Sequence, residues 1–140
     1  MEELSASTCW AQLRTTPVGR IAVRGDGDDV EIFPINFVVD HGSVVFRTAA
    51  GTKLERIVAT ECVTFEADDS DLDDGIAWSV VAKGACTVIQ VHGDVLDSFD
   101  LDVYPWHAGG KPTLVRLIPS ALTGRRFTID PAALARRRDP

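Results

Sequence analysis

The sequence predicts a mainly β domain, a small closed or nearly closed antiparallel barrel with a few short helices, and three observations lead there. Six segments rich in β-branched residues follow one another at short intervals, from Arg20–Arg24 to a closing segment that begins at Thr113. Glycine and aspartate clusters, Gly25-Asp26-Gly27-Asp28 and Asp40-His41-Gly42, separate the first three at hairpin spacing. Helical periodicity is confined to brief runs. A sheet of this size leaves exposed edges unless it closes on itself, so a barrel is favoured. At 140 residues the chain suffices for one packed core without disulfides or a structural metal. Residues 1–130 are assigned to one domain, and 131–140 to a basic tail expected to fray.

The elements follow in order. Cys9, Trp10 and Leu13 lie at helical spacing within Ser7–Arg14, with Ser5 or Ser7 as N-cap, and Pro17 ends the run. Strands are expected at Arg20–Arg24, Val30–Val39 and Ser43–Thr48, forming a meander. Leu54, Ile57 and Val58 then return to helical spacing, with Thr52 as N-cap and Glu55 as its capping-box partner. Further strands are expected at Cys62–Ala67, Ala77–Ile89, and Thr113–Ile118 continuing towards Phe127. Gly84 marks a bend or bulge in the unusually long Ala77–Ile89 segment. Between His92 and Gly110 a short helix is expected near Asp94–Phe99, followed by an irregular Tyr104–His107 stretch.

Charge narrows the function. The net charge of −7 argues against binding polymeric nucleic acid, which depends on cations displacing counterions from phosphates. Its distribution is uneven: residues 1–110 carry 19 of the 21 acidic residues, whereas 111–140 carry half of the 14 basic ones. Met1–Ser5 lacks the start of a signal peptide and no apolar run reaches membrane-spanning length, so a cytoplasmic protein with no membrane partner is expected. Cys9, Cys62 and Cys86 lack metal or redox spacing and are read as small buried thiols.

Several motifs fail. Gly25-Asp26-Gly27 has Val30 where a dinucleotide fingerprint needs its third glycine, and a strand follows in place of a helix. The acidic run Asp68–Gly75 places its glycine one position late for a calcium loop and has Val80 at position twelve, so it is read as a solvated loop. His41, His92 and His107 have no metal-ligand spacing, and no Gly-x-Ser-x-Gly elbow is present.

One constellation survives. Arg47 and Thr48 end a strand, Gly51 permits a close turn, and Thr52-Lys53 open a helix whose free N–H groups and dipole favour an anion. Guanidinium, ammonium and hydroxyl donors together make a phosphate cradle. The same residues are equally compatible with a plain helix cap and two solvated cations.

The chain resembles the pyridoxamine 5′-phosphate oxidase-like, FMN-binding split-barrel superfamily, in particular its small actinobacterial and nitroimidazole-resistance-type branch. The carrying segments are Cys9-Trp10 with Leu13, Val18-Gly19-Arg20-Ile21-Ala22, Pro34-Ile35-Asn36-Phe37, Phe46-Arg47-Thr48 with Gly51-Thr52-Lys53-Leu54, Val63–Asp68, Trp78–Gly84, and Leu114–Leu117 with Thr123–Phe127. They occur in family order over nearly the whole chain. The resemblance implies an antiparallel split β-barrel and a homodimer with FMN in a groove between the barrels. It assigns Arg47 and Lys53 to the phosphate, assisted by Thr48 and Thr52, and the backbone of Ile35 and Asn36 to the isoalloxazine edge. Trp78 and Ser79 line the ribityl and phosphate side, or serve as a core tryptophan and a strand hydroxyl. Trp106 covers the ring from the partner chain, or merely packs.

The implied activity is two-electron (hydride) transfer to or from a small-molecule redox substrate. Two alternatives accompany it: a deazaflavin coenzyme whose anionic tail meets Arg116, Arg125 and Arg126, and a flavin storage or sensor protein without turnover. Thr8 stands where many relatives have an acidic residue, and the chain ends soon after Phe127, which argues against a role in vitamin metabolism.

Overall fold

The computed structural model describes residues 1–89 and 113–137, a span that leaves Trp106, the helix expected at Asp94–Phe99 and the Tyr104–His107 stretch outside it. Among the described residues the chain runs β1 (Glu2–Glu3), α1 (Ala6–Leu13), β2 (Val18–Arg24), β3 (Val30–Val39), β4 (Val44–Thr48), α2 (Thr52–Ala59), β5 (Val63–Asp71), β6 (Ile76–Val88), β7 (Thr113–Thr128) and α3 (Pro131–Arg137). Neighbouring strands pair antiparallel in the order β1-β7-β4-β3-β2-β5-β6, and a further β6–β7 pairing closes six of them into a ring. β1 hangs on the outside of β7. The fold is an antiparallel split barrel, as the sequence predicts.

Strand alternation fills the ring. Ile21, Phe37, Phe46, Phe65, Val80, Val115 and Leu117 point inward and are almost wholly buried. Phe37 and Phe65 meet edge to face, with centroids 4.9 Å apart. α1 adds Cys9 and Leu13 to this core beside Gly124, and α2 adds Ile57 from the side of the β2–β3 turn. Val45, Leu114 and Ile89 instead form a smaller cluster on the outer face of β4 and β7, with Val38 of β3 packed against it.

Local differences from expectation have identifiable causes. Ser5 caps α1, its side chain accepting from the Thr8 N–H. Thr52 does not cap α2: Gly51 takes the N-cap at φ 138°, a conformation that excludes most side chains, and accepts the Glu55 N–H through its carbonyl. The Thr52–Glu55 capping box therefore does not form. The acidic run is not wholly loop, because β5 continues to Asp71 in register with Ile76–Ser79 of β6. Its side chains face solvent, and the turn closes with Asp71 Oδ1 accepting the N–H groups of Asp73 and Asp74. The basic tail is helical from Pro131 to Arg137, its first turn supported by Asp130 Oδ1 on the Ala132 N–H. β1 has no sequence periodicity behind it; two glutamates pair with Arg126 and Arg125 of β7. Cys9 and Cys86 are buried as expected, and Cys62 is exposed.

The β6–β7 ladder shifts register between Lys83 and Gly84, at the residue whose missing side chain permits it. A Cβ on Gly84 would lie 2.0 Å from the Ile118 carbonyl oxygen. Gly84→Ala must force the two longest strands apart, and chemical denaturation should show a stability loss of at least about 2 kcal/mol; unchanged stability would mean that the ladder tolerates a side chain there.

Candidate functional site

The surviving constellation sits where β4 passes into α2. Phe37 pairs with Phe46 at the end of the β3–β4 ladder, so Asn36 and Arg47 occupy the next positions on adjacent strands. Both are half-buried and, by alternation from the buried Phe37 and Phe46, lie on the outer face. Arg47 is also in register with Leu114 of β7, one member of the outer apolar cluster. Ile35, by contrast, is 7% exposed and belongs to the core, which leaves its backbone as the part available to a ligand.

Thr48 faces inward, 2% exposed, and its hydroxyl donates to the Ala49 carbonyl at 3.4 Å. Arg47 and Thr48 thus lie on opposite faces of β4. Three residues on, Gly51 reverses the chain and α2 begins. Thr52 is exposed at its first position, and Lys53 Nζ stands 4.4 Å above the centroid of Phe33 on β3. The first-turn amides of α2 have no acceptor within the helix, which is the usual condition at a helix start. The donor set is therefore a guanidinium, an ammonium, a hydroxyl and helix amides beside a glycine turn where, among the described residues, a Cβ on Gly51 would meet no atom beyond its chain neighbours within 4 Å. That chemistry fits a phosphate.

Trp78 and Ser79 lie elsewhere. They belong to β6, three strands from β3 whichever way the ring is followed. Trp78 is 8% exposed within the core cluster, and half-buried Ser79 pairs with Asp68 and Arg125 on the outer face. A packed interior separates Ser79 from Asn36, so within one barrel no single ligand meets both. Trp78 borders an open cleft of about 560 Å³ whose other walls include Asp69, Asp71, Asp74, Leu72 and Ile76. Arg126 also lines that cleft and is held by Glu2, so the three aspartates leave its wall mainly acidic.

The arginines near the C-terminus are mostly committed. Arg116 Nη1 donates to Asp40 Oδ2 at 2.8 Å and Ser43 Oγ at 2.6 Å, tying the β3–β4 turn to β7. Arg126 Nη2 reaches Glu2 Oε2 at 3.0 Å, while Arg125 is exposed. Sequence reasoning also missed Phe33 beneath Lys53 and the ion pairs of Arg56 with Glu31 and Asp26. Phe33 and Glu31 alternate on β3, and Lys53 and Arg56 are three apart on α2; these two periodicities were the available signal.

A separate charged group occupies the outer wall of β2 and β5. Arg20 Nη1 contacts Glu66 Oε1 at 2.8 Å and Asp68 Oδ2 at 3.2 Å. Partial burial and the adjacent Asp68 carboxylate push Glu66 up to about 7, against the opposing pull of Arg20. Burial also pushes the Cys86 thiol up to about 12. Among the described residues, no group of His, Cys, Asp and Glu is arranged to hold a metal ion, and no helix is long and apolar enough to cross a membrane.

A closed split barrel defines the fold class, and comparison with known proteins identifies the family. Residues 5–126 match the family described as pyridoxamine 5′-phosphate oxidase, and the chain belongs to that family. It is similar to an uncharacterized Mycobacterium tuberculosis protein, Rv3129, at 39% identity over 94 residues, covering 67% of this chain and 84% of the relative. Among solved structures, a FAD-binding protein from Mycobacterium smegmatis is 37% identical with a TM-score of 0.79, covering 92% of this chain and 100% of that one. A FAD-binding protein from Mesorhizobium loti, 22% identical with a TM-score of 0.71 over 91% of this chain and 98% of its own, shares the fold.

The titration of Glu66 has a measurable sign. A carboxyl whose folded value is raised above the unfolded 4.5 favours folding fully below about 4.5, and that contribution is lost as pH rises through about 7. Glu66→Gln should therefore gain stability relative to the parent between pH 4.5 and pH 8 in urea melts. A difference between the two proteins that does not change with pH would contradict the shift.

Proposed function

We propose that the protein binds a flavin nucleotide and serves as a two-electron redox protein acting on a small molecule. The observation that carries this reading is the 37% identity to the FAD-binding Mycobacterium smegmatis protein, a likeness that covers 92% of the chain. Arg47, Lys53, Thr52 and the α2 amides hold the phosphate, with Thr48 shaping the turn from inside. The backbone of Ile35 and Asn36 runs beside the ring. Ser79 joins the site from a second copy in a homodimer, since β3 and β6 occupy opposite walls of one barrel, whereas Trp78 keeps its place in the core and Trp106 lies outside the described residues. A reducing, cytoplasmic setting agrees with three unpaired cysteines.

The bound flavin supplies hydride chemistry at its ring; the chain contributes binding, orientation and exclusion of water. FMN is the form that the sequence resemblance implies, and FAD is favoured by the likeness to the FAD-binding Mycobacterium smegmatis protein. The two share the ribityl phosphate on which the cradle acts. A deazaflavin with a longer anionic tail is less well supported, because Arg116 and Arg126 are engaged with Asp40 and Glu2. A storage protein would bind the same flavin without turnover.

Purified protein should be yellow and release FMN or FAD on denaturation, resolved by chromatography against both standards. Colourless protein that binds deazaflavin and neither flavin would overturn the reading. Reduction by a nicotinamide donor and reoxidation by a candidate substrate separates a redox enzyme from a store. At the site, Lys53→Ala should weaken FMN binding at least tenfold, about 1.4 kcal/mol, because it removes a charged phosphate partner. Unchanged affinity in a folded variant would remove Lys53 from the phosphate site.

A further inference from the structure

We infer that Arg56 is a positioning residue for the phosphate cradle, an inference that rests on the flavin reading above. α2 carries Lys53 and Arg56 three residues apart, hence on one side of the helix, and β3 carries Glu31 and Phe33 two apart, hence on one side of the strand. The two spacings match. Lys53 lies over Phe33 while Arg56 reaches Glu31, so the pair of cations registers the helix against the strand at two points.

Arg56 makes a second contact, from Nη2 to Asp26 Oδ2 at 3.3 Å, and so also ties α2 to the β2–β3 turn. Its side chain is 22% exposed, where an ion pair is less screened than at the open surface. Gly25 provides the room: a Cβ there would stand 3.1 Å from Arg56 Nη1 and 3.3 Å from Glu31 Cγ. Buried Ile57 and partly buried Leu54 seat α2 on the core and set which face it buries, but these apolar contacts are non-directional. The arginine fork supplies that direction. Rotating or sliding α2 moves Lys53 and the first-turn amides together, because they belong to the same two turns of helix. A displacement of about 1 Å suffices to spoil charge-assisted hydrogen bonds to a phosphate.

Riboflavin and FMN differ only by the phosphate, which makes their relative affinity a reading of the cradle alone. Binding of each to the full chain should be measured by fluorescence quenching for the parent, Arg56→Ala, Arg56→Lys and Glu31→Gln. The FMN-to-riboflavin affinity ratio should fall at least fivefold in Arg56→Ala, fall less in Arg56→Lys, and fall in Glu31→Gln, which keeps every cation in place. Gly25→Ala reaches the same contact from the opposite side and should lower the ratio if Arg56→Ala does not fold. A ratio unchanged in folded Arg56→Ala or Glu31→Gln, with the parent strongly preferring FMN, would overturn the positioning role and leave the phosphate site standing. A parent that binds riboflavin and FMN alike would remove the phosphate site and the positioning role together.

Discussion

The antiparallel ladder between β6 and β7 pairs Ile76–Val88 with Val115–Thr128 and turns an open sheet into a ring. Its register decides which side chains face inward. With Val115 and Leu117 inside, Leu114 and Arg116 are outside, and through β4 the same parity puts Phe46 in the core and Arg47 on the surface. A slip of one residue would exchange the two sets. Gly84 absorbs the irregularity that such a long ladder needs to curve, and Gly124 lets Cys9 of α1 come close, since a Cβ there would stand 2.5 Å from Cys9 Sγ. The β4–α2 junction, where the phosphate is proposed to sit, is an outcome of closure, because β4 ends and α2 begins where the ring has fixed them.

Electrostatics act at short range on this scaffold. The overall −7 describes the molecule's distant field, whereas the proposed phosphate site rests on Arg47, Lys53 and a helix start. Several arginines pair with acids of the same chain: Arg20 with Glu66 and Asp68, Arg56 with Glu31 and Asp26, Arg116 with Asp40, Arg126 with Glu2. Net charge alone does not reveal these local pairings.

Much of the barrel was legible because its signals are local. Alternation in β3 and β4, glycine at the hairpins and the lone glycine in β6 each point to their element. Thr52 misled for a local reason too: its side chain is a good cap, but Gly51 at positive φ lets the helix begin one residue earlier in cap position. β1 and α3 were missed since two glutamates and an arginine-rich tail carry no apolar periodicity; each depends on partners supplied by β7 or Asp130. The cradle residues were readable in one stretch. The separation of Ser79 from Asn36, and the commitment of Arg116 to Asp40, depend on strand order and long-range pairing, which no short window contains.

In the proposed complex the flavin phosphate is held where β4 meets α2. A crystal structure of the protein loaded with FMN should show phosphate oxygens within hydrogen-bond distance of Arg47, Lys53 and the first amides of α2, with the ring beside Ile35 and Asn36. A phosphate seated instead near Arg125 and Arg126, with the α2 start empty, would contradict it.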